Sequence, residues 1–375
     1  MEMASGRLRY LVTGGCGFLG RCLVRMLVER DEGVGEIRVF DQSRGTDLET
    51  LSSERVRVTV TRGDITDLAS VVEATRGVDV VFHTASLVDV WGRTSEEKIH
   101  CVNVHGTQNV IEGCRVNGVR FLVYTSSMEA VGPNSQGDHF YRGNEETAYT
   151  VSHTMAYPRS KADAERLVLE ANGTRVAGGG GLYTCSLRPT GIYGEEHQLM
   201  WEFYQQSLRM GQRVLRVVPR EIEHGRVYVG NVAWMHVLAA RALRARPGAI
   251  GGQVYFCYDD SPYESYDDFN MEFLSSCGVT MLGDRPLVPW VVLYLVARLN
   301  ELLQVLLRPL WCYAPLMNTH TLSVVMTTFT VSTDKAARDL GYRPLFDWEQ
   351  SRGRTVGWLL ARARRAGGTD RKSTR

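Results

Sequence analysis

Apolar positions along the chain fall into short dense runs separated by stretches with helical spacing. Residues 8–13 read as a buried strand, and apolar side chains at helical spacing follow up to about Arg30. Further short runs occur at 37–40, 56–61, 78–82, 121–124 and 182–187, with helical patterns between them, notably 95–117 and 157–171. Strand and helix in alternation predict an α/β fold, a Rossmann-type doubly wound parallel sheet with helices on both faces. Ligands then bind beyond the carboxyl ends of the strands. Residues 128–156 interrupt the pattern with Gly, Asn and Pro, a length that loops reserve for lids and binding segments. Residues 178–181 read as a flexible glycine turn. After 195 the alternation becomes irregular, with Glu223-His224-Gly225-Arg226 before a strand and a helix from Asn231. The expected organisation is a dinucleotide-binding domain over 1–195, a substrate-binding region over 196–286, an apolar segment over 287–317 and a C-terminal region over 318–375.

The apolar segment differs from all that precedes it. Residues 288–297 are almost unbroken apolar positions, Arg298, Asn300, Glu301 and Gln304 interrupt them, and a second apolar run covers 305–313. Neither half reaches the roughly 20 residues that cross a bilayer. Together they could cross only with a charge such as Arg298 or Glu301 at mid-depth, at about 2.5–3.5 kcal/mol each. A helix or hairpin lying in the interface avoids that cost, and Trp290, Tyr294, Trp311 and Tyr313 suit such a belt. The rival is a buried helix in the interface of a soluble homodimer. The basic tail 362–375 reads as a disordered, solvated end near anionic lipid.

Composition narrows the partners. A length of 375 residues allows two domains, and a net charge of +1 gives no electrostatic case for nucleic acid. The eight cysteines form no C-x-x-C pair and several sit in apolar runs, so they read as reduced thiols on the cytosolic side. The His residues are scattered without metal-ligand spacing, so no metal is expected. The run 10–12 is too short for a signal-peptide core.

The candidate chemistry sits at the ends of the predicted strands. Thr13-Gly14-Gly15-Cys16-Gly17-Phe18-Leu19-Gly20 joins the first strand to the first helix, with glycines spaced G-x-x-G-x-x-G. Gly14 permits a tight turn, Gly17 lets backbone approach a pyrophosphate, and Gly20 lets the helix pack on the strand. Asp41, ending the second strand, can accept from ribose hydroxyls and repel a 2′-phosphate, which favours NAD over NADP; Arg44 nearby could soften that choice. Asp64 can accept from an adenine amino group or cap the helix starting near Leu68. Thr84 and Ala85 are small enough to let a cofactor lie on the sheet edge. Ser126 and Ser127 follow the fifth strand, where a hydroxyl can hold a substrate oxygen. Tyr157 and Lys161, four apart on a helix, share a face. An ammonium beside a phenol favours the phenolate, so Tyr157 can take an alcohol proton as a hydride departs.

As an ensemble, T-G-G-C-G-F-L-G, Asp41, Gly63-Asp64, Ser126-Ser127, Y-P-R-S-K and L-R-P-T-G-I-Y-G resemble the extended short-chain dehydrogenase/reductases. Within them, Val88-Asp89-Val90-Trp91-Gly92, Tyr124-Thr125-Ser126-Ser127-Met128-Glu129 and Gly132-Pro133-Asn134 are similar to the 3β-hydroxysteroid dehydrogenase/Δ5-Δ4 isomerase branch. Tyr141-Arg142-Gly143-Asn144-Glu145 adds to that likeness. Over nearly the whole chain the nearest likeness is to the branch acting on C27 sterols in bile acid synthesis. The resemblance implies NAD held by Gly14, Gly17, Phe18, Leu19, Gly20, Asp41, Asp64, Ile65, Thr84, Ala85, Tyr157, Lys161 and Pro189. It implies catalysis by Tyr157, Lys161 and Ser127, with Ser126 as alternate, and a sterol substrate. Tyr255 and Asp259 match positions proposed for the isomerisation. It also implies an enzyme on the endoplasmic reticulum membrane with its catalytic domain facing the cytosol. The rival readings are a nucleotide-sugar epimerase or dehydratase of the same fold, and a non-catalytic membrane-bound NAD-sensing scaffold.

Overall fold

The computed structural model describes residues 7–43, 47–307, 311 and 313–370; Arg44, Cys312 and the last five residues of the basic tail lie outside the described residues. Seven parallel strands form the main sheet. In chain order they are β1 (Leu8–Thr13), β2 (Val34–Asp41), β3 (Arg57–Arg62), β4 (Val80–His83), β5 (Phe121–Thr125), β6 (Tyr183–Pro189) and β7 (Gln253–Cys257). Their spatial order is β7-β6-β5-β4-β1-β2-β3, so the direction of winding reverses between β1 and β4. Such a reversal opens a crevice at the carboxyl edge where a ligand can lie.

Helices cover both faces. On one side α1 (Phe18–Arg30) packs against α2 (Val229–Ala245), over a core that includes Tyr10, Val12, Val39, Phe82, Leu187 and Tyr255. On the other side lie the helices Leu68–Thr75, Gly106–Val116 and α3 (Ala156–Glu170), over Leu11, Val81, Leu122, Tyr124, Ala164 and Val168. Alternation along β1 sends Tyr10 and Val12 to one face and Leu11 to the other, as a strand buried on both faces requires.

The strands expected from residues 8–13, 37–40, 56–61, 78–82, 121–124 and 182–187 are all present, with ends moved by a few residues. The seventh was not foreseen. Residues 253–257 add β7 in parallel to β6, and α2 packs on this sheet, so the sheet and its core draw on chain well beyond 195. The helix expected over 95–117 runs from its Ser95 cap but contains a π-helical turn at Cys101–His105. The loop 128–156 is anchored: its short strand Phe140–Gly143 pairs with Phe329–Val331. Of the tail 362–375, expected to be disordered, the described part up to Asp370 continues a helix that begins at Trp348, and Arg362 stacks over Trp201.

Trp290–Leu307 forms one helix, α4, long and apolar enough to cross a membrane. Three of the four polar residues that break its sequence form its docking face, while Arg298 stays exposed and pairs with Glu301 on the same helix. Asn300 Nδ2 donates to the Met317 carbonyl at 2.9 Å, Glu301 Oε1 accepts from Thr319 N at 2.8 Å, and Gln304 Nε2 donates to Trp91 O at 2.8 Å. Leu293 and Ala297 are buried on the same stripe. The opposite face presents Val291, Leu295, Leu299, Leu302 and Val305 to the outside, Val305 at 70% exposure. Soluble proteins rarely leave so long a contiguous apolar row uncovered.

Candidate active site

The crevice at the sheet's carboxyl edge is a cleft of about 520 Å3. The turn after β1 forms its floor. Gly14 sits at φ +70, and a Cβ there would lie 2.6 Å from the Ala85 Cα, so only glycine allows the two loops to touch. A Cβ on Gly20 would collide with the Gly14 carbonyl, which ties the start of α1 to the turn. Gly17 caps α1 with no side-chain cap, leaving first-turn N–H groups for an anion.

Gly14, Gly17, Phe18, Leu19 and Gly20 line the cleft together with Asp41, Ile65, Thr84, Ala85, Ser126, Tyr157 and Lys161. The wall at Thr84 and Ala85 is pinned by Thr84 Oγ1 donating to the Thr13 carbonyl at 2.7 Å. Asp41 accepts from Cys16 N at 2.9 Å and from Ser43 N and Oγ, each at 2.9 Å. Two expected contacts fall outside this lining. Asp64 accepts from Gln42 Nε2 at 2.7 Å and Thr66 N at 2.9 Å, and Asp67, not Asp64, caps the following helix. Pro189 is buried at the end of β6, while Ile192 reaches the cleft in its place.

Tyr157 and Lys161 stand one turn apart on α3, both buried. The Ser127 side chain acts on Tyr157 and helps favour its phenolate, while its Oγ accepts from Glu129 N at 3.1 Å. Ser126 has a buried hydroxyl with no hydrogen-bond partner, facing the cleft. Of the two serines, Ser126 lines the cleft, and Ser127 is the one whose side chain acts on the Tyr157 phenol. The expectation that Lys161 favours the phenolate is not met in the protein alone. Burial, followed by the Glu129 charge, pushes the Tyr157 phenol well above its ordinary range. Lys161 Nζ donates instead to the Thr125 carbonyl at 2.8 Å, and burial draws its ammonium down to about 7 against the opposing pull of Glu165.

Asn103, which the sequence reading passed over, holds this helix to the cleft wall. It sits in the π-helical turn, donates to Ser160 Oγ at 2.9 Å and Leu87 O at 3.0 Å, and accepts from Leu87 N at 2.7 Å. The extra residue of a π turn is what aims one polar side chain inward at that point.

Tyr255 and Asp259, expected to serve the isomerisation, are not brought to this cleft. Tyr255 is fully buried on the α1–α2 side of the sheet, its hydroxyl 3.5 Å from Asp339, whereas Tyr157 lies on the opposite side. Asp259 accepts from Tyr228 N, Asn231 Nδ2, Ser261 N and Ser261 Oγ at 2.6–3.1 Å, so its carboxylate is committed to tying α2 to the end of β7.

A second cavity, of about 550 Å3, is mostly apolar and is walled by Met210, Leu215, Val218, Tyr266, Met317 and Leu322, with Asn300 of α4 at its edge. Its size lies in the range of small-molecule pockets.

Comparison with known proteins fits this geometry. The profile of the 3-beta hydroxysteroid dehydrogenase/isomerase family matches residues 11–287. The chain is 62% identical over 355 residues to human 3 beta-hydroxysteroid dehydrogenase type 7, covering 95% of this chain and 96% of the human protein. It is 60% identical to the mouse protein of the same name, covering 94% and 96%. A vaccinia virus (strain Copenhagen) 3 beta-hydroxysteroid dehydrogenase/Delta 5-->4-isomerase is 43% identical over 350 residues, covering 93% and 98%. Among solved structures, a UDP-galactose 4-epimerase superposes with TM-score 0.66 at 20% identity, covering 95% of this chain and 99% of the epimerase, which speaks to the fold alone. On the matched profile and these relatives together, the chain belongs to the 3-beta hydroxysteroid dehydrogenase/isomerase family.

Proposed function

We propose that the protein oxidises the 3β-hydroxyl of a Δ5 sterol to the ketone with NAD, then shifts the double bond from C5 to C4. The observation that carries the first step is the buried Tyr157, which lines a cleft floored by the glycine turn together with Lys161 and Ser126. Tyr157 takes the 3β-hydroxyl proton, and Ser127 orients the substrate oxygen. NAD in its oxidised form would supply a hydride acceptor and a positive charge that favours the Tyr157 phenolate, against the burial and the Glu129 charge that hold the phenol protonated. Gly14, Gly17, Phe18, Leu19 and Gly20 would hold its pyrophosphate, and Asp41 its adenosine ribose. Lys161, already anchored on the Thr125 carbonyl, would hold the nicotinamide ribose. Positioning of the two reacting carbons within one cleft supplies much of the rate.

The substrate is a 7α-hydroxylated C27 sterol, the class that the sequence resemblance implies; the relatives named 3 beta-hydroxysteroid dehydrogenase and the apolar walls of the second cavity support a sterol. Those walls also speak against a nucleotide sugar. The exposed face of α4 supports attachment to the endoplasmic reticulum membrane with the cleft on the cytosolic side. Its docked stripe favours lying on the bilayer over crossing it, because Asn300, Glu301 and Gln304 are committed to the protein body. The deciding experiment incubates purified protein in detergent with a 7α-hydroxylated Δ5 C27 sterol and NAD. Appearance of the Δ4-3-ketone is the expected result, and no NADH above a sterol-free control would end the reading.

Cofactor choice gives a separate check. Asp41→Ala removes one charge that faces the cleft, and two like charges about 4 Å apart repel by roughly 1–4 kcal/mol at surface dielectrics. The NADP-to-NAD ratio of kcat/KM should rise on the order of tenfold. Wild-type protein that already prefers NADP in steady-state kinetics would remove the role given to Asp41.

A further inference from the structure

A sterol with a second ring hydroxyl carries one polar group into an otherwise apolar space, and a side chain has to meet it there. Arg226 is placed to do so. It opens the short strand Arg226–Tyr228, which pairs in parallel with Gly191–Tyr193 just beyond the carboxyl end of β6. That pairing brings the guanidinium so near Gly191 that a Cβ there would lie 2.6 Å from Nη1. Ile192, the next residue, lines the dinucleotide cleft. On its other side the guanidinium carbon stands 3.9 Å from the centroid of the Tyr266 ring, and Tyr266 lines the apolar cavity. Arg226 therefore stands where the space for the hydride acceptor approaches the space that suits a sterol skeleton.

No carboxylate answers its charge. Among the described residues Arg226 forms no ion pair, and its Nε is buried without a hydrogen-bond partner, while the residue as a whole is half-buried. A guanidinium does not shed its proton, and a buried charge is costly unless it is paired. The rings of Tyr266 and Phe269 give it cation–π contacts, but a ring face supplies no lone pair to its five N–H donors. His197 is the second such group. Its Nδ1 is also buried without a partner, and its ring stacks at 5.3 Å on Phe18, which lines the cleft. Burial, followed by the Arg226 charge, draws its imidazolium down to about 4, so at pH 7 the ring is neutral and keeps one acceptor nitrogen. A hydroxyl can accept from a guanidinium and donate to a neutral imidazole at once. A carboxylate or phosphate only accepts, so the pair suits an alcohol better than an anion.

We infer that Arg226 is a specificity-determining residue of the sterol site, donating to a ring hydroxyl other than the one oxidised, with His197 accepting from that hydroxyl. The assignment rests on the sterol-oxidising reading above, in which this second hydroxyl is the 7α one. Position selects a ring substituent over one on the sterol side chain. The strand Arg226–Tyr228 lies at the carboxyl edge of the sheet, where cofactor and Tyr157 meet the reacting carbon, and the side chain of a C27 sterol projects from the opposite end of the fused rings. A sterol lacking the hydroxyl would press hydrocarbon against the guanidinium and leave its donors unmatched. Such a site rejects the deoxy analogue instead of merely holding it less well.

The test gives the detergent-purified full chain NAD with either a 7α-hydroxylated Δ5 C27 sterol or the same sterol without the 7-hydroxyl. Wild type should favour the first by about a hundredfold or more in kcat/KM. Arg226→Met keeps the apolar stem and removes the donors. The ratio of the two kcat/KM values should then fall about 10–100-fold, the usual worth of a hydrogen bond to a charged group, with most of the loss on the 7α-hydroxylated sterol. Arg226→Lys keeps a charge without the planar fork and should fall between the two. The melting temperature reports folding; should Arg226→Met not fold, Arg226→Lys and the wild-type ratio decide the matter. Equal kcat/KM for the two sterols in wild type, or an equal loss on both in a variant that melts like wild type, would overturn the assignment. So would a tenfold loss of NAD affinity in such a variant, which would place the guanidinium on the cofactor. Wild-type protein that oxidises neither sterol would instead end the sterol reading itself.

Discussion

Tyr157→Phe is expected to lower sterol oxidation about 10²–10⁴-fold, the usual worth of a positioned acid–base group. The substitution removes one oxygen and nothing else. Tyr157 is only 6% exposed, and a Phe ring fills the same space. The loss should fall on kcat, since the phenol's contribution is made as the proton moves. NAD affinity should change by at most about tenfold, the most that one hydrogen bond contributes net. The measurement is steady-state oxidation of the sterol beside NAD binding by fluorescence titration. Turnover near wild type would mean that another group takes the proton, and the role given to Tyr157 would fall.

The second large effect is on membrane attachment. Val291→Glu, Leu295→Glu and Leu302→Glu together place three charges on the outward face of α4, away from the stripe of Leu293, Ala297, Asn300 and Gln304 that docks it. Burying one such side chain is worth about 1.5–3 kcal/mol. Losing three removes more than roughly 4 kcal/mol, about a thousandfold in partition. The triple variant should move from the membrane pellet to the supernatant while NAD binding persists, because none of the three positions contributes to the core. Wild-type microsomes extracted with sodium carbonate give the complementary test. Protein released without detergent would show that α4 packs against protein, and the attachment proposal would be withdrawn.

Local features were the legible ones. The glycine turn, the Tyr157–Lys161 spacing and the serines after β5 each depend on a few adjacent residues and a known secondary structure. Elements set by distant partners were not legible. Strand β7 has an ordinary apolar run whose only distinction is that β6 lies beside it. Tyr255 and Phe256 are neighbours whose side chains leave opposite faces of that strand, and nothing in their order says which face carries Tyr157. Asp259 was plausible as a free carboxylate until its four donors were located. In α4, Asn300, Glu301 and Gln304 read as interruptions of an apolar span, whereas they mark the one face that needs partners.

The membrane attachment proposed for α4 has a kinetic consequence. One face looks away from the protein, and Asn300 on the other borders the apolar cavity. A sterol reaching that cavity from the bilayer is drawn from a two-dimensional solvent, and its relevant concentration is its mole fraction among lipids. Added vesicles then dilute the substrate without changing its total amount, as a cosolvent would. An apparent KM written in aqueous molarity becomes a property of the preparation, and only surface-normalised kinetics describe the enzyme.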